Sequence, residues 1–184
     1  WETTSDGELI EIPLEDNKQF DFFIDWGDSS DVERFSGMGT HLTVTHNYTS
    51  SGRYNVNITP LTITDVYDGF PSIYLNNDST YRSKLVTINQ WGDAKWTSME
   101  NAFYGASNMQ LEAIDTPNLT NVNNMSSMFR EASLVNYDIG DWDVSNVTNM
   151  SRMFDGASSF NSDIGDWDVS NVTNMSRMFD GASS

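Results

Sequence analysis

Apolar and polar positions in the second half of the chain recur with a fixed period. Residues 138–159 and 163–184 carry the same 22-residue sequence, DIGDWDVSNVTNMSRMFDGASS, and the two copies start 25 positions apart. A weaker copy lies one period upstream, around residues 121–133, and a fainter one, offset by 26 positions, covers residues 99–107. A period of this size is typical of stacked repeats, in which each unit buries its apolar face against its neighbours.

The pattern inside one repeat predicts a strand followed by a short helix. The segment Ile139-x-x-Trp142-x-Val144 has the L-x-x-L-x-L spacing of a leucine-rich-repeat strand. The helical spacing i, i+3, i+4, i+7 is occupied by Met150, Met153, Phe154 and Ala157. We therefore expect residues 100–184 to form a mixed α/β, leucine-rich-repeat-like solenoid with 25-residue repeats. Asn146 and Asn171, one period apart, are predicted to hydrogen-bond the backbone of a neighbouring repeat.

The first 60 residues have the pattern of short strands. Aromatic and β-branched side chains fill residues 20–26, and apolar residues alternate over residues 41–48 and 54–58, with turn-forming sequences between these runs. This pattern predicts an N-terminal antiparallel β-sandwich over residues 1–60. The Trp-rich residues 61–99 are predicted to form a junction that caps the first repeat, with their Trp side chains closing the end of its core.

Three motifs in this first half carry a resemblance. They are Trp26-Gly27-Asp28-Ser29, His46-Asn47-Tyr48 and the G-x-Y-x-V segment at residues 52–56. Together they resemble PKD-like β-sandwich modules, whose turn carries Gly where this chain has Ser29. The match of His46 to the strand motif of these modules implies a structural role for its ring, and His41 lies on the same predicted strand.

The repeat carries a second resemblance. Its motif W-x-V-S-N-V-T-N-M-S-x-M-F-x-x-A-S-S-F resembles the surface-protein repeat of the BspA-like leucine-rich family, a mycoplasma-type lipoprotein repeat of unknown function. Residues 91–103 resemble the lead-in that these proteins carry before their repeats. The resemblance implies a secreted or surface-anchored bacterial protein with a role in adhesion or host-protein binding. We expect the chain to be an excerpt of a longer array, located outside the cell or on the bacterial surface.

Composition narrows the classes of partner. The chain has 9 Lys and Arg against 27 Asp and Glu, a net charge of −18, so it lacks the clustered cations that nucleic acid or an anionic membrane would require. It has no Cys, and no apolar run of membrane length, so neither a disulfide framework nor direct membrane insertion is expected. No nucleophile triad, phosphate-binding loop or dinucleotide motif is recognisable, and we expect no enzymatic activity and no cofactor.

Aspartates at fixed positions of the repeat are the candidates for ion binding. Stacked repeats would align them in columns at about the 4.8 Å strand spacing, where like charges repel. A Ca²⁺ ion could offset this repulsion, since it prefers carboxylate and carbonyl ligands. The candidate ligands are Asp141, Asp143, Asp166 and Asp168. The simpler interpretation, which we favour, is a solvated acidic rim.

These features leave several functional hypotheses. The favoured one is a non-enzymatic adhesion module that presents a repetitive acidic face to a protein or glycan on another cell or host. One alternative is a Ca²⁺-stabilised spacer or stalk without a ligand of its own. Another is a carbohydrate-binding module that uses exposed Trp142 and Trp167, flanked by Asp138 and Asp163. The C-terminal repeat is in addition a candidate for end-to-end self-association.

Overall fold

A computed structural model describes residues 1–40, 42–61 and 70–183 of the chain. His41 and residues 62–69 of the predicted junction therefore lie outside the described residues. Within the described ranges the regular secondary structure is all β and contains no helix. The strands are β1 (Glu2–Thr3), β2 (Glu8–Pro13), β3 (Gln19–Asp25), β4 (Glu33–Met38), β5 (Thr43–Tyr48), β6 (Gly52–Arg53), β7 (Asn57–Pro60), β8 (Thr87–Ile88) and β9 (Gln110–Leu111).

The antiparallel strands predicted for the first 60 residues are confirmed. Strand β2 pairs with β5, β3 lies between β4 and β7, and β1 pairs with β6, all in antiparallel register. Alternate side chains of β2 and β3, such as Ile10, Ile12, Phe22 and Ile24, are fully buried between the sheets. Burial of these apolar side chains fixes the register, because a slip by one residue would turn them to solvent.

The prediction of a short helix over residues 150–157 is wrong. Over residues 150–157 the chain makes two consecutive four-residue turns, closed by hydrogen bonds from the Met153 N–H to the Met150 carbonyl (3.2 Å) and from the Ala157 N–H to the Phe154 carbonyl (3.0 Å). The third residue of each turn has a positive φ, which is 54° at Arg152 and 75° at Gly156. These values are those of type II-like turns and are incompatible with a right-handed helix.

The mixed α/β, leucine-rich-repeat-like solenoid is therefore corrected to an all-β arrangement of stacked turns. The predicted strand at residues 139–144 is not formed either, because the Trp142 N–H closes a turn on the Ile139 carbonyl (3.2 Å). Regular pairing between the repeats is confined to single parallel bridges, which join Asn124 to Asn149 and Asn149 to Asn174. Alternate carbonyls of this segment, such as those of Ser151 and Met153, accept from the preceding repeat, while those of Met150 and Phe154 accept from the turns themselves, so the i→i−4 bonds of a helix do not form.

Neighbouring repeats are joined by a directional row of backbone hydrogen bonds. Alternate N–H groups of one repeat donate to carbonyls of the next, for example from Met150 to Asn174 (2.9 Å) and from Phe154 to Met178 (2.8 Å). The same pattern joins Phe129 to Met153 (2.9 Å) one repeat earlier. At these turns each layer donates toward the C-terminal side, whereas the backbone N–H groups of residues 148–149 and 173–174 donate toward the N-terminal side.

Both halves of the chain share one apolar core. A single cluster of buried side chains extends from Trp1 to Met178. In the repeats its axis is a column of stacked rings, Phe103, Phe129, Phe154 and Phe179, with ring centroids 5.6–5.9 Å apart. Trp91 and Trp96 are buried at the junction, as predicted, and meet edge to face at 5.9 Å.

Candidate binding surface

The exposed turns at residues 143–149 and 168–174 form one surface, called here the acidic corner. In each turn an aspartate oxygen accepts the backbone N–H two residues further on, Asp143 from Ser145 at 3.1 Å and Asp168 from Ser170 at 3.0 Å. The Ser145 hydroxyl donates a second bond to Asp143 at 2.6 Å. Sequences of this type form such turns because a short side chain can satisfy a nearby backbone donor.

The carboxylates of the acidic corner are held ionised. Hydrogen bonds from the hydroxyl and then the backbone of Ser145 lower the pKa of Asp143, and those from Ser170 lower the pKa of Asp168 in the same way. The Asp168 carboxylate acts in the opposite direction on the pKa of Asp143. The two carboxylates therefore lie close enough to interact, while local donors keep both of them charged.

Amide and hydroxyl groups beside the carboxylates bind the neighbouring repeat. The side-chain amide of Asn146 donates to the Thr120 carbonyl (3.1 Å), and that of Asn171 donates to the Ser145 carbonyl (2.7 Å), which confirms the predicted role of these asparagines. Sequence reasoning missed the parallel row of hydroxyls, in which Thr148 bonds the Asn123 carbonyl and Thr173 bonds the Thr148 carbonyl. The sequence feature that indicates these hydroxyl bonds is the same 25-residue recurrence of Thr148 and Thr173.

The remaining candidate aspartates are exposed and do not converge on a metal site. Asp138 and Asp163 accept the N–H of the glycine two residues on, at 3.3 and 2.9 Å. Asp141 and Asp166 lie at exposed turn positions. Among the described residues, no three His, Asp or Glu side chains lie close enough together to hold a metal ion. The structure therefore does not gather the four carboxylates predicted as Ca²⁺ ligands.

The tryptophans predicted as an exposed sugar-binding platform are buried. Trp142 packs edge to face against Trp91 with centroids 5.5 Å apart, and only 4% of its surface is exposed. Trp167 is 7% exposed and donates its indole N–H to the Ile139 carbonyl at 2.9 Å. The prediction of exposed Trp142 and Trp167 is wrong because both rings fill the core between repeats. They offer no free face on which a sugar ring could stack.

The one described histidine, His46, is partly buried beside the first-half core, in keeping with the structural role its motif implies. The His46 ring stacks on Trp26, with centroids 4.8 Å apart and an interplanar angle of 13°. Its Nε2 lies 2.8 Å from the Asp28 carboxylate, and the Tyr48 hydroxyl donates to the Trp26 carbonyl at 2.8 Å. Local donors led by Ser30, together with His46, lower the pKa of Asp28 to about 2. This cluster fixes the turn that follows β3.

The last described repeat, the predicted candidate for end-to-end self-association, has an open face. Three apolar side chains there are 39–46% exposed, namely Val169, Met175 and Phe179. Their equivalents one repeat earlier are at most 1% exposed, namely Val144, Met150 and Phe154. Because the two copies have identical sequences, the difference comes from the layer that covers only the first of them.

In the described part of the chain, no helix has both the length and the apolar character needed to cross a membrane. Residues 97–184 match the family described as "Mycoplasma protein of unknown function, DUF285". No curated protein and no solved structure matches the chain. The second half of the chain is therefore a repeat segment similar to this mycoplasma-type family, whose function is unknown.

Proposed function

We propose that the chain is a non-enzymatic module of a bacterial surface or secreted protein, in which stacked repeats present the acidic corner to a protein or glycan partner. The observation that carries this proposal is the repetition in register of exposed carboxylate, amide and hydroxyl groups on neighbouring layers. A turn hydrogen bond fixes each carboxylate, and a hydrogen bond to the preceding repeat fixes each amide and hydroxyl, so little side-chain freedom is lost when a partner binds. The similarity of residues 97–184 to a mycoplasma-type family agrees with a bacterial source.

The acidic corner favours a partner with donor groups spaced like the layers. Ionised Asp143 and Asp168 accept hydrogen bonds only, so they suit basic side chains or sugar hydroxyls rather than phosphate or sulfate. The net charge of −18 adds a long-range attraction for basic surfaces, which salt screens. Further layers would add equivalent sites along the same line, and avidity would rise without any new type of contact.

The test is binding of the full chain, displayed on beads, to arrays of immobilised glycans and extracellular matrix proteins at about 0.15 M salt. The double variant Asp143→Asn with Asp168→Asn removes two charges but keeps the oxygens that accept the turn hydrogen bonds. The matched control, Asp31→Asn with Asp93→Asn, removes two exposed charges elsewhere. We expect bound partners to be lost with the first pair and retained with the control. Equal loss in both pairs would show non-specific charge attraction and contradict the proposal.

The spacer is a second candidate, favoured by a different observation. Backbone hydrogen bonds join successive layers from Leu75 to Asp180, and the Phe column runs inside them. Such a stack has the rigidity that a stalk needs. If the spacer is the whole function, no array partner will distinguish the double variant from the original chain.

A further inference from the structure

A pocket lies in the first half of the structure, where the paired ends of β2 and β5 meet the segment at residues 74–81. Its volume is about 420 Å³, within the roughly 300–1,000 Å³ typical of ligand pockets. Backbone hydrogen bonds join its walls. The Leu14 N–H donates to the Leu42 carbonyl at 2.9 Å, and the Tyr74 N–H donates to the Pro13 carbonyl at the same distance. The walls are therefore held in place before any ligand binds.

The inner part of the pocket is apolar. Three of its lining residues are buried, namely Pro13, Leu14 and Leu75. Two tyrosines also line it, and their hydroxyls already have partners. The Tyr74 hydroxyl accepts from the side-chain amide of Asn101 at 3.2 Å, and the Tyr81 hydroxyl is hydrogen-bonded to Glu11 and Thr43. A sugar hydroxyl or a charge that entered here would lose water without full compensation, so the inner part suits an apolar group.

The rim of the pocket is acidic. Its exposed lining residues are Asp16, Asn76 and Asp78. The Asp78 carboxylate accepts the Thr80 N–H at 2.7 Å, which fixes its position on the turn. No Lys or Arg belongs to the described residues that line the pocket, and the chain as a whole has a net charge of −18. The rim therefore attracts cations and repels anionic groups.

We propose that this pocket binds a basic segment of a partner protein, with one large apolar side chain inside the pocket and Lys or Arg side chains next to it on the rim. The apolar side chain leaves water when it packs on the buried inner residues, and the flanking cations face Asp16 and Asp78. An anchor that fills a preformed pocket with a polar rim is a common arrangement in protein interfaces. The site goes beyond display of the acidic corner, because it lies in the other half of the chain and recognises an apolar group together with charge.

The test records amide N–H NMR spectra of the ¹⁵N-labelled full chain while the tripeptide acetyl-Lys-Phe-Lys-amide is added. We expect saturable shifts at the N–H groups of Leu14, Leu75 and Asn76, with a dissociation constant on the order of 1 mM or below. Two further peptides separate the two parts of the recognition. Acetyl-Lys-Gly-Lys-amide lacks the anchor, and acetyl-Glu-Phe-Glu-amide reverses the charge. Each should bind at least about tenfold more weakly.

Substitutions in the chain separate the rim from general charge attraction. Asp16→Asn with Asp78→Asn removes both rim charges but keeps the oxygen that accepts the Thr80 N–H. This pair should weaken binding of acetyl-Lys-Phe-Lys-amide by at least about fivefold. The control pair, Asp31→Asn with Asp93→Asn, removes two exposed charges elsewhere and should leave binding within about twofold. The same spectra report whether each variant is folded.

Four results would overturn the proposal. Equal binding of the three peptides, or equal weakening by the two pairs of substitutions, would show attraction to the net charge alone. Absence of shifts at the pocket with any of the peptides, including shifts confined to the acidic corner, would show that no basic segment binds there. Saturable binding of methyl glucoside at the same N–H groups, without binding of the basic peptide, would make the pocket a sugar site.

Discussion

Phe154 and Phe179 hold the same position in the two copies of the repeat. Comparing their substitutions therefore measures how much one neighbouring layer contributes to stability. Phe154 is fully buried, with its ring stacked between Phe129 (5.9 Å) and Phe179 (5.6 Å) and against Phe160 (3.8 Å). Phe154→Ala leaves a cavity that layers on both sides enclose, and it should lower the free energy of unfolding by about 3–5 kcal/mol. Phe179→Ala should cost only about 1 kcal/mol, because its ring is 46% exposed and no closed cavity forms.

Urea denaturation followed by circular dichroism measures both variants. With a slope of about 2 kcal/mol per molar urea, the midpoint should fall by about 2 M for Phe154→Ala and by about 0.5 M for Phe179→Ala. Arg152→Ala, on an outward turn position, is the control and should change the free energy of unfolding by less than about 0.5 kcal/mol. Equal shifts for the two Phe variants at unchanged slope would refute the conclusion that neighbouring layers provide the burial.

Three further predictions concern turns, protons and ions. Gly27→Ala should lower the free energy of unfolding, measured by urea denaturation, by at least about 2 kcal/mol more than Gly92→Ala does. Both glycines have a positive φ, but only at Gly27 would an added Cβ meet a backbone oxygen, that of Asn55, at 2.5 Å. Because the pKa of Asp28 is lowered to about 2, the folded state should lose stability as the pH falls from 4 to 2, and Asp28→Asn should flatten that part of the pH profile; an unchanged profile would contradict this. In thermal melts, millimolar CaCl₂ should raise the melting temperature no more than NaCl of equal ionic strength; a Ca²⁺-specific rise, abolished by Asn at both carboxylates of the acidic corner, would show a metal site.

The incorrect helix prediction shows which features of a fold can be determined from hydrophobic periodicity. Two consecutive four-residue turns place their first and fourth residues inward, at positions 150, 153, 154 and 157, and this set has the helical spacing i, i+3, i+4, i+7. The pattern therefore predicted the buried residues correctly and their backbone wrongly. Gly156 was the visible sign of a turn, whereas Arg152 adopts its positive φ without any sequence signal.

Of the residues predicted to form a surface, the tryptophans were placed incorrectly and the asparagines correctly, and stacking of the layers accounts for both outcomes. The hypothesis of a sugar-binding module needs Trp142 and Trp167 to be exposed, yet both rings turn inward between layers, as the apolar spacing of the repeat at Trp142 also indicates. Asn146 and Asn171 were assigned correctly because a stacked amide has few alternatives to the neighbouring backbone. The open face of the last described repeat differs from the buried face of residues 138–159 only in what lies next to it.

The hydrogen bonds at the paired turns have one direction along the stack, from each layer to the next in sequence. At the N-terminal side, the N–H groups of Leu75 and Asn77 donate to the Ala102 and Tyr104 carbonyls of the first layer. The junction thus supplies donors to the first layer at these positions, and its Val86 and Ile88 carbonyls accept from the N–H groups of Gln110 and Glu112. Trp91 packs against Phe103, the first Phe ring of the column. Within the repeats, alternate carbonyls of each pair of turns accept from the preceding layer. Identical sequences can thus be fully buried in one copy and half exposed in the next, because stability here belongs to pairs of layers rather than to a single repeat.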